Sequence, residues 1–303
     1  MAADFWSSTQ RRYWQFTRER LAEIRDSLRE KDKQPLPCQL PDPRHLSIYF
    51  NQQLLKIADG ASIRQQAIAT AQVYIKRYYT KVDMLQTNPY LVLATALYLA
   101  CKVEECPQHI RYIHNKVRYH YSDLCNIDTA KIGECEFSLI AEMSSQLIVH
   151  HPYRTLTELQ PKLGLESGEM ALAWSLINDH YLTDLPLLYP PHVIAVMAIF
   201  VAVTFKSSQT NYYGPSLGHS ITRSLRNGGL ASSMSMFTDR TEEVGDKQRN
   251  LINWLAESEV DIKAVIECTQ ELVSLYEAWN QYNDKYCRDQ LAKLIKSRNL
   301  ERG

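Results

Sequence analysis

Apolar residues recur at three- and four-residue steps along most of the chain, the spacing of helices that bury one side. Leu46, Phe50, Leu54 and Ile57 make one such stripe, and Ile63, Ala67, Ala71, Tyr74 and Tyr78 make the next. Near the amino terminus, Trp14, Leu21, Ile24 and Leu28 share a face between charged residues. This predicts a surface helix within residues 1–33, with Ser7 or Ser8 as its cap. Residues 34–44, from Gln34-Pro35-Leu36-Pro37 to Pro41-Asp42-Pro43, are too proline-rich to be helical and read as a linker. Towards the other end the helical period continues through Leu251, Trp254 and Leu255, then through Val265, Leu272, Val273, Tyr276 and Trp279. No stretch alternates with the period of two that marks a half-buried strand, so the fold class is all-α.

One stretch is echoed about a hundred residues later. The segment from Asn88-Pro89 to Ala100 can be laid over Pro190-Pro191 to Ala202, matching Pro89 to Pro191, Ala96 to Ala198 and Ala100 to Ala202. Each copy starts a helix at proline and then carries small residues that let neighbouring helices approach. A duplicated bundle explains this, each copy having an all-round apolar central helix; shared composition of two buried helices is the plainer alternative. The repeats are expected at 45–150 and 151–282, with a carboxyl-terminal helix or tail at 283–303. Between about 206 and 250 the composition shifts to Ser, Gly, Asn and Thr, with Gly214-Pro215 and Asn227-Gly228-Gly229 as breakers. This reads as a flexible insertion in the second repeat that adds little to its core.

The bulk numbers narrow the chemistry. Lys+Arg and Asp+Glu are 34 each, for a formal net charge of +0, which argues against a broad surface for nucleic acid or anionic membrane. Seven cysteines are scattered along apolar stretches with no CxxC pair, the pattern of reduced intracellular thiols. The longest apolar run, Val193 to Val203, falls well short of the roughly 20 residues that span a bilayer. His109, His114 and His120 lie five and six apart, off any common helix face, and no phosphate loop or nucleophile elbow is present. No metal, cofactor or catalytic residue is expected.

Two charges sit where apolar residues belong. Ile132, Cys135, Leu139, Ile140 and Met143 mark the buried side of a helix from about Asp128 to Met143, and Glu136 falls within it. A carboxylate there needs a partner, because an unpaired buried charge costs several kcal/mol. Lys102, after Tyr98 and Leu99 at the end of the preceding apolar helix, is the obvious one. Such a pair can be purely architectural, and a lysine also suits a helix carboxyl end.

Here a family resemblance becomes specific. Leu99-Ala100-Cys101-Lys102-Val103-Glu104-Glu105 resembles the signature that closes the third helix of the cyclin box. Ile63 to Tyr74 resembles its second helix, and Glu134-Cys135-Glu136-Phe137 its fifth. Phe5-Trp6, His151-Pro152-Tyr153-Arg154, Asn178-Asp179 and Leu187-Leu188-Tyr189-Pro190-Pro191 are most similar to the cyclin C type, the cyclin-like subunit of the RNA polymerase II holoenzyme and Mediator in fungi, with cyclin H next. One departure is Lys76, where many cell-cycle cyclins have an aspartate that pairs with the arginine matched by Arg64. Arg64 must then find another acceptor or solvent.

The resemblance implies tandem cyclin-box repeats, two five-helix bundles preceded by an amino-terminal helix. It implies a non-enzymatic subunit that binds and activates a cyclin-dependent kinase as a heterodimer, within the Mediator kinase module, in the nucleus. The kinase-binding residues carried over are Lys102, Glu105, Glu136, Leu139 and Ile140. A second partner groove, for another kinase-module subunit, is expected from Trp6, Asn178, Asp179 and Tyr276: the tryptophan precedes any core face, and Asn178 and Asp179 interrupt an apolar helix. The alternatives are a cyclin H-like activator of another transcriptional kinase and a nucleic-acid binder built like basal transcription factor B. Arg11, Arg12, Arg18 and Arg20 among aromatics favour the latter, and neutral net charge opposes it.

Overall fold

The computed structural model describes residues 4–31, 39–61, 63–204 and 246–302, and among these every regular element is a helix. The chain divides into two compact units: residues 1–150 with 283–303, and residues 151–282.

In the first unit, α1 (Thr9–Tyr13) and α2 (Arg18–Lys31) precede five helices: α3 (Pro43–Ala58), α4 (Gln65–Tyr78), α5 (Pro89–Val103), α6 (Ile110–Tyr121) and α7 (Thr129–Glu142). The expected single helix within 1–33 is two. Ser8 does cap the first, its side chain accepting from Arg11 N, but that helix stops at Trp14. The break lets Trp14 turn inward to 2% exposure, where its indole N–H donates to Gln146 Oε1 at 2.7 Å. Burying an indole with its N–H satisfied outweighs one more helical turn on the surface.

α5 is the hub, packed by α3, α4, α6 and α7. Asn88 caps it by accepting from Tyr90 N and Leu91 N, Pro89 takes the first turn where no N–H is needed, and residues Pro89 to Leu97 are all buried. Beneath Trp14 lies Arg77, fully buried, with its guanidinium 5.1 Å from the indole centroid. Its Nη1 donates to Gln146 O at 2.8 Å, while Nε and Nη2 have no hydrogen-bond partner, and burial pushes its pKa down to about 10. Tyr74 Oη donates to Leu147 O at 2.6 Å, and Gln10 brackets the His150 backbone, accepting from its N–H at 2.6 Å and donating to its carbonyl at 3.4 Å. Side chains from α1 and α4 therefore hold residues 146–150, which would otherwise leave bare backbone groups.

In the second unit, α8 (Pro152–Leu163), α9 (Ser167–His180), the single turn α10 (Leu185–Leu188), α12 (Asp246–Glu257) and α13 (Ile262–Asn280) accompany α11 (Pro191–Thr204). α11 is the hub here, as α5 is in its unit: α8, α9, α12 and α13 pack on it, and Val193 to Ile199 are all buried. The echo pairs these two central helices. Of the expected insertion, residues up to 245 lie outside the described part, as do 32–33 of the expected amino-terminal helix and 34–38 of the linker; residues 246–250 begin α12 rather than belonging to a loop, and 43–44, expected in the linker, open α3 behind the Asp42 cap.

The last helix, α14 (Asp284–Ser297), belongs to the first unit and packs on α3. Arg288 meets Asp123 at 2.7 Å, and Asn88 Nδ2 donates to Leu300 O at 2.9 Å. The expected carboxyl-terminal tail is thus part of the first unit's structure.

Candidate partner-binding face

The end of α5 and the outward side of α7 bring the two anomalous charges together. Lys102 Nζ forms an ion pair with Glu136 Oε1 and lies 4.5 Å from the Tyr98 ring centroid. The pair is half-sunk: the lysine side chain is 41% exposed and the glutamate 12%. Surrounding protein screens Glu136 from water on most sides, which strengthens its attraction to the ammonium. Lys102 also stands in the last turn of α5, where a cation meets the helix dipole favourably.

The turn after Lys102 is closed by a left-handed cap. Glu105 adopts φ +53°, and Cys106 N–H donates back to Cys101 O at 2.9 Å, the six-to-one closure of a helix end. Glycine would take this conformation at no cost, whereas a residue with a side chain loses about 1 kcal/mol. Glu104 anchors the turn to α4, accepting from Thr70 Oγ1 at 2.6 Å and Gln66 Nε2 at 2.7 Å. Glu105 itself stands exposed, three residues after Lys102.

On α7, Ile140 is half-buried one turn after Glu136, and Phe137 next to Glu136 is 76% exposed. Leu139 was expected to touch a partner, and the structure corrects this: it is 0% exposed, pointing into the bundle, so it supports the face from behind. Phe137 was missed as a site residue because its position falls off the apolar stripe, where a sequence reading expects solvent. A large exposed aromatic beside a half-sunk ion pair is the composition of a protein interface. Arg64 lies exposed at the amino end of α4, so solvent takes the place of the aspartate that Lys76 replaces.

The residues expected to form a second groove fall in both units. Trp6, in the first, is 54% exposed and carries the Arg11 guanidinium 5.3 Å above its ring. The other three are in the second unit. Tyr153 Oη donates to Asn178 Oδ1 at 2.6 Å, and Tyr276 Oη donates to Asp179 Oδ2 at 2.7 Å. Tyr276 is 1% exposed, which corrects the expectation that it meets a partner: its ring fills the core and only its hydroxyl acts, by holding Asp179. Burial, partly offset by that hydrogen bond, pushes the Asp179 carboxyl up to about 6.

A raised acid pKa has a definite sign. Between about pH 4 and 6 the folded chain keeps a proton that the unfolded chain has released, so this group's contribution is best at low pH and is lost as pH rises through 6. Above that the ionised form costs on the order of 2–3 kcal/mol. Asp179→Asn keeps an acceptor for Tyr276 without the charge. It is expected to melt several degrees above the parent at pH 7.5 and close to it at pH 4.5, and thermal melts of both at each pH check this.

The arrangement compares directly with known proteins. Residues 14–147 match the family model described as "Cyclin, N-terminal domain". The chain is 60% identical over 305 residues to the RNA polymerase II holoenzyme cyclin-like subunit of Aspergillus terreus, and 59% over 303 residues to that of Aspergillus oryzae; each alignment covers 100% of both proteins. The Neurospora crassa protein of the same name is 44% identical over 346 residues, again with full coverage of both. Among solved structures, a chain of the CAK complex from Chaetomium thermophilum bound to ATP-gamma-S superposes with a TM-score of 0.62 at 19% identity, covering 98% of this chain and 88% of that one. A chain of the yeast TFIIK complex gives 0.59 at 16%, covering 88% and 99%. These structural matches speak to the helical fold.

Proposed function

Since the chain belongs to the cyclin family of non-catalytic kinase regulatory subunits, we propose that it serves in the nucleus as the cyclin of an RNA polymerase II holoenzyme kinase, binding and activating a cyclin-dependent kinase of the Mediator kinase module. The full-length identity to fungal holoenzyme cyclin-like subunits carries this reading. The ion pair of Lys102 with Glu136, with Phe137 and Ile140 along α7 and Glu105 on the capped turn, is the surface offered to the kinase. A kinase becomes active when its regulatory helix swings inward and its glutamate meets the ATP-positioning lysine. A face that binds only the inward arrangement shifts the kinase's population toward it, each tenfold bias requiring about 1.4 kcal/mol of differential affinity.

Trp6 and Asp179 would serve a further kinase-module subunit. An indole left 54% exposed and a carboxylate kept charged against burial both carry a cost that a partner can recover. The test measures two captures separately from nuclear extract, of the kinase and of the larger assembly. The parent chain is expected to take both, whereas Trp6→Ala and Asp179→Ala keep the kinase and lose most of the larger assembly. A folded parent that captures no cyclin-dependent kinase would overturn the kinase reading; loss of both captures together, or of neither, would overturn the separate role of Trp6 and Asp179.

A further inference from the structure

The cap that ends α5 does more than turn the chain. Its six-to-one closure joins Cys106 N–H to Cys101 O at 2.9 Å, and the same geometry lays the side chains of these two positions against each other. In most such caps the contact is between two apolar residues. Here it is between two thiols, near enough that the Cys106 side chain adds to the upward shift that burial imposes on Cys101. With standard covalent lengths, a 2.9 Å bond between these backbone atoms leaves the two α-carbons at most about 6.8 Å apart, inside the range that a disulfide spans. Both cysteines are free, Cys101 buried and Cys106 half-buried.

We propose that Cys101 and Cys106 form a reversible intramolecular disulfide when the chain meets hydrogen peroxide, making the end of α5 a site of oxidative modification. The more accessible Cys106 reacts first. Its thiolate attacks one peroxide oxygen, the O–O bond breaks, and the other oxygen leaves as hydroxide to be protonated to water, giving a sulfenic acid on Cys106. The Cys101 sulfur then attacks the Cys106 sulfur; the S–O bond breaks and its oxygen leaves as a second water, taking the Cys101 proton. Two thiols lose two electrons and one peroxide gains them.

Geometry supports this order. Burial pushes the Cys101 thiol up to about 12, so it is protonated and shielded until a partner is presented at contact distance. Cys125, Cys268 and Cys287 are buried, and Cys135 is half-buried on α7. The closed bridge would enclose Lys102, Val103, Glu104 and Glu105, so oxidation would be written onto the turn that carries the α5 half of the ion pair. Closure of the bridge does not depend on which partner that turn meets.

The test treats the folded full-length chain with hydrogen peroxide, blocks remaining thiols with an alkylating agent, and reads the intact mass and the fragment map. The expected result is a monomer lighter by two hydrogens, with two thiols protected, a bridge mapped to Cys101 and Cys106, and full reversal by dithiothreitol. Cys106→Ser should keep all of its remaining thiols alkylatable under the same treatment. Oxygen added to Cys106 without a bridge, a bridge that includes Cys38 or joins two chains, or six or more unprotected thiols in the treated parent would overturn the proposal.

Discussion

Removing both Lys102 and Glu136 side chains is expected to weaken kinase capture by at least tenfold, or about 1.4 kcal/mol, while the chain keeps its helix content and melts within a few degrees of the parent. The pair is the right target because its members are unequally buried, 41% and 12% exposed. Lys102→Ala alone would strand the more buried carboxylate, confusing loss of fold with loss of binding. Deleting both charges avoids this. The charge-reversed pair, Lys102→Glu with Glu136→Lys, supplies the contrast: it restores attraction within the chain but shows a partner the opposite pattern. Binding measured for the parent, the double deletion and the reversed pair separates architecture from recognition. Full kinase binding by the reversed pair would mean that the ion pair serves the fold alone.

Arg77→Ala is expected to destabilise the first unit by about 3 kcal/mol or more, through the cavity left under Trp14 and the lost hydrogen bond to Gln146 O. Arg77→Met should behave differently. The guanidinium is buried without a carboxylate, and its Nε and Nη2 make no hydrogen bond, so the charge itself is a burden that its pKa of about 10 records. A flexible apolar side chain of similar length fills the space without that burden, and its effect is expected to lie within about 1 kcal/mol of the parent. Denaturant titrations of the three proteins decide it. If Met and Ala are equally damaging, the cation's interaction with the indole and the 146–150 backbone outweighs its desolvation.

The helical period was a reliable guide wherever one face alone is buried. Leu46, Phe50, Leu54 and Ile57 all end at or below 9% exposure, as the stripe on α3 requires. The hub helices were legible as an echo because close packing on all sides restricts residue size, so Ala96, Ala198 and Ala100 recur at 0% exposure. The Lys102–Glu136 contact was legible for a different reason: a charge on an apolar face demands a partner, and few candidates exist. What periodicity misses is where a chain abandons its period. Trp14 fits the stripe of one long helix, yet it breaks that helix to reach Gln146, 132 residues away in sequence. Tyr276 and Phe137 mislead in opposite directions, one buried and one exposed, because amphipathic aromatics suit both cores and interfaces. Arg77 gave no signal, since arginine on a helix is expected to reach water.

The placement of α14 in the first unit bears on how the protein is made. A ribosome delivers residues 151–282 as one uninterrupted stretch, so the second unit has all its parts before synthesis ends. The first unit must wait, because Arg288 and Leu300, the partners of Asp123 and Asn88, emerge last. While the nascent chain is still attached, the α3 surface that α14 will cover is bare, and the hydrogen bonds that tie the chain's end to Asp123 and Asn88 span 165 and 212 residues. Such late, long-range closure is slow and leaves apolar surface open to aggregation or chaperones during translation. A premature stop before residue 283 would therefore spare the later-encoded repeat and leave the earlier-encoded one unfinished.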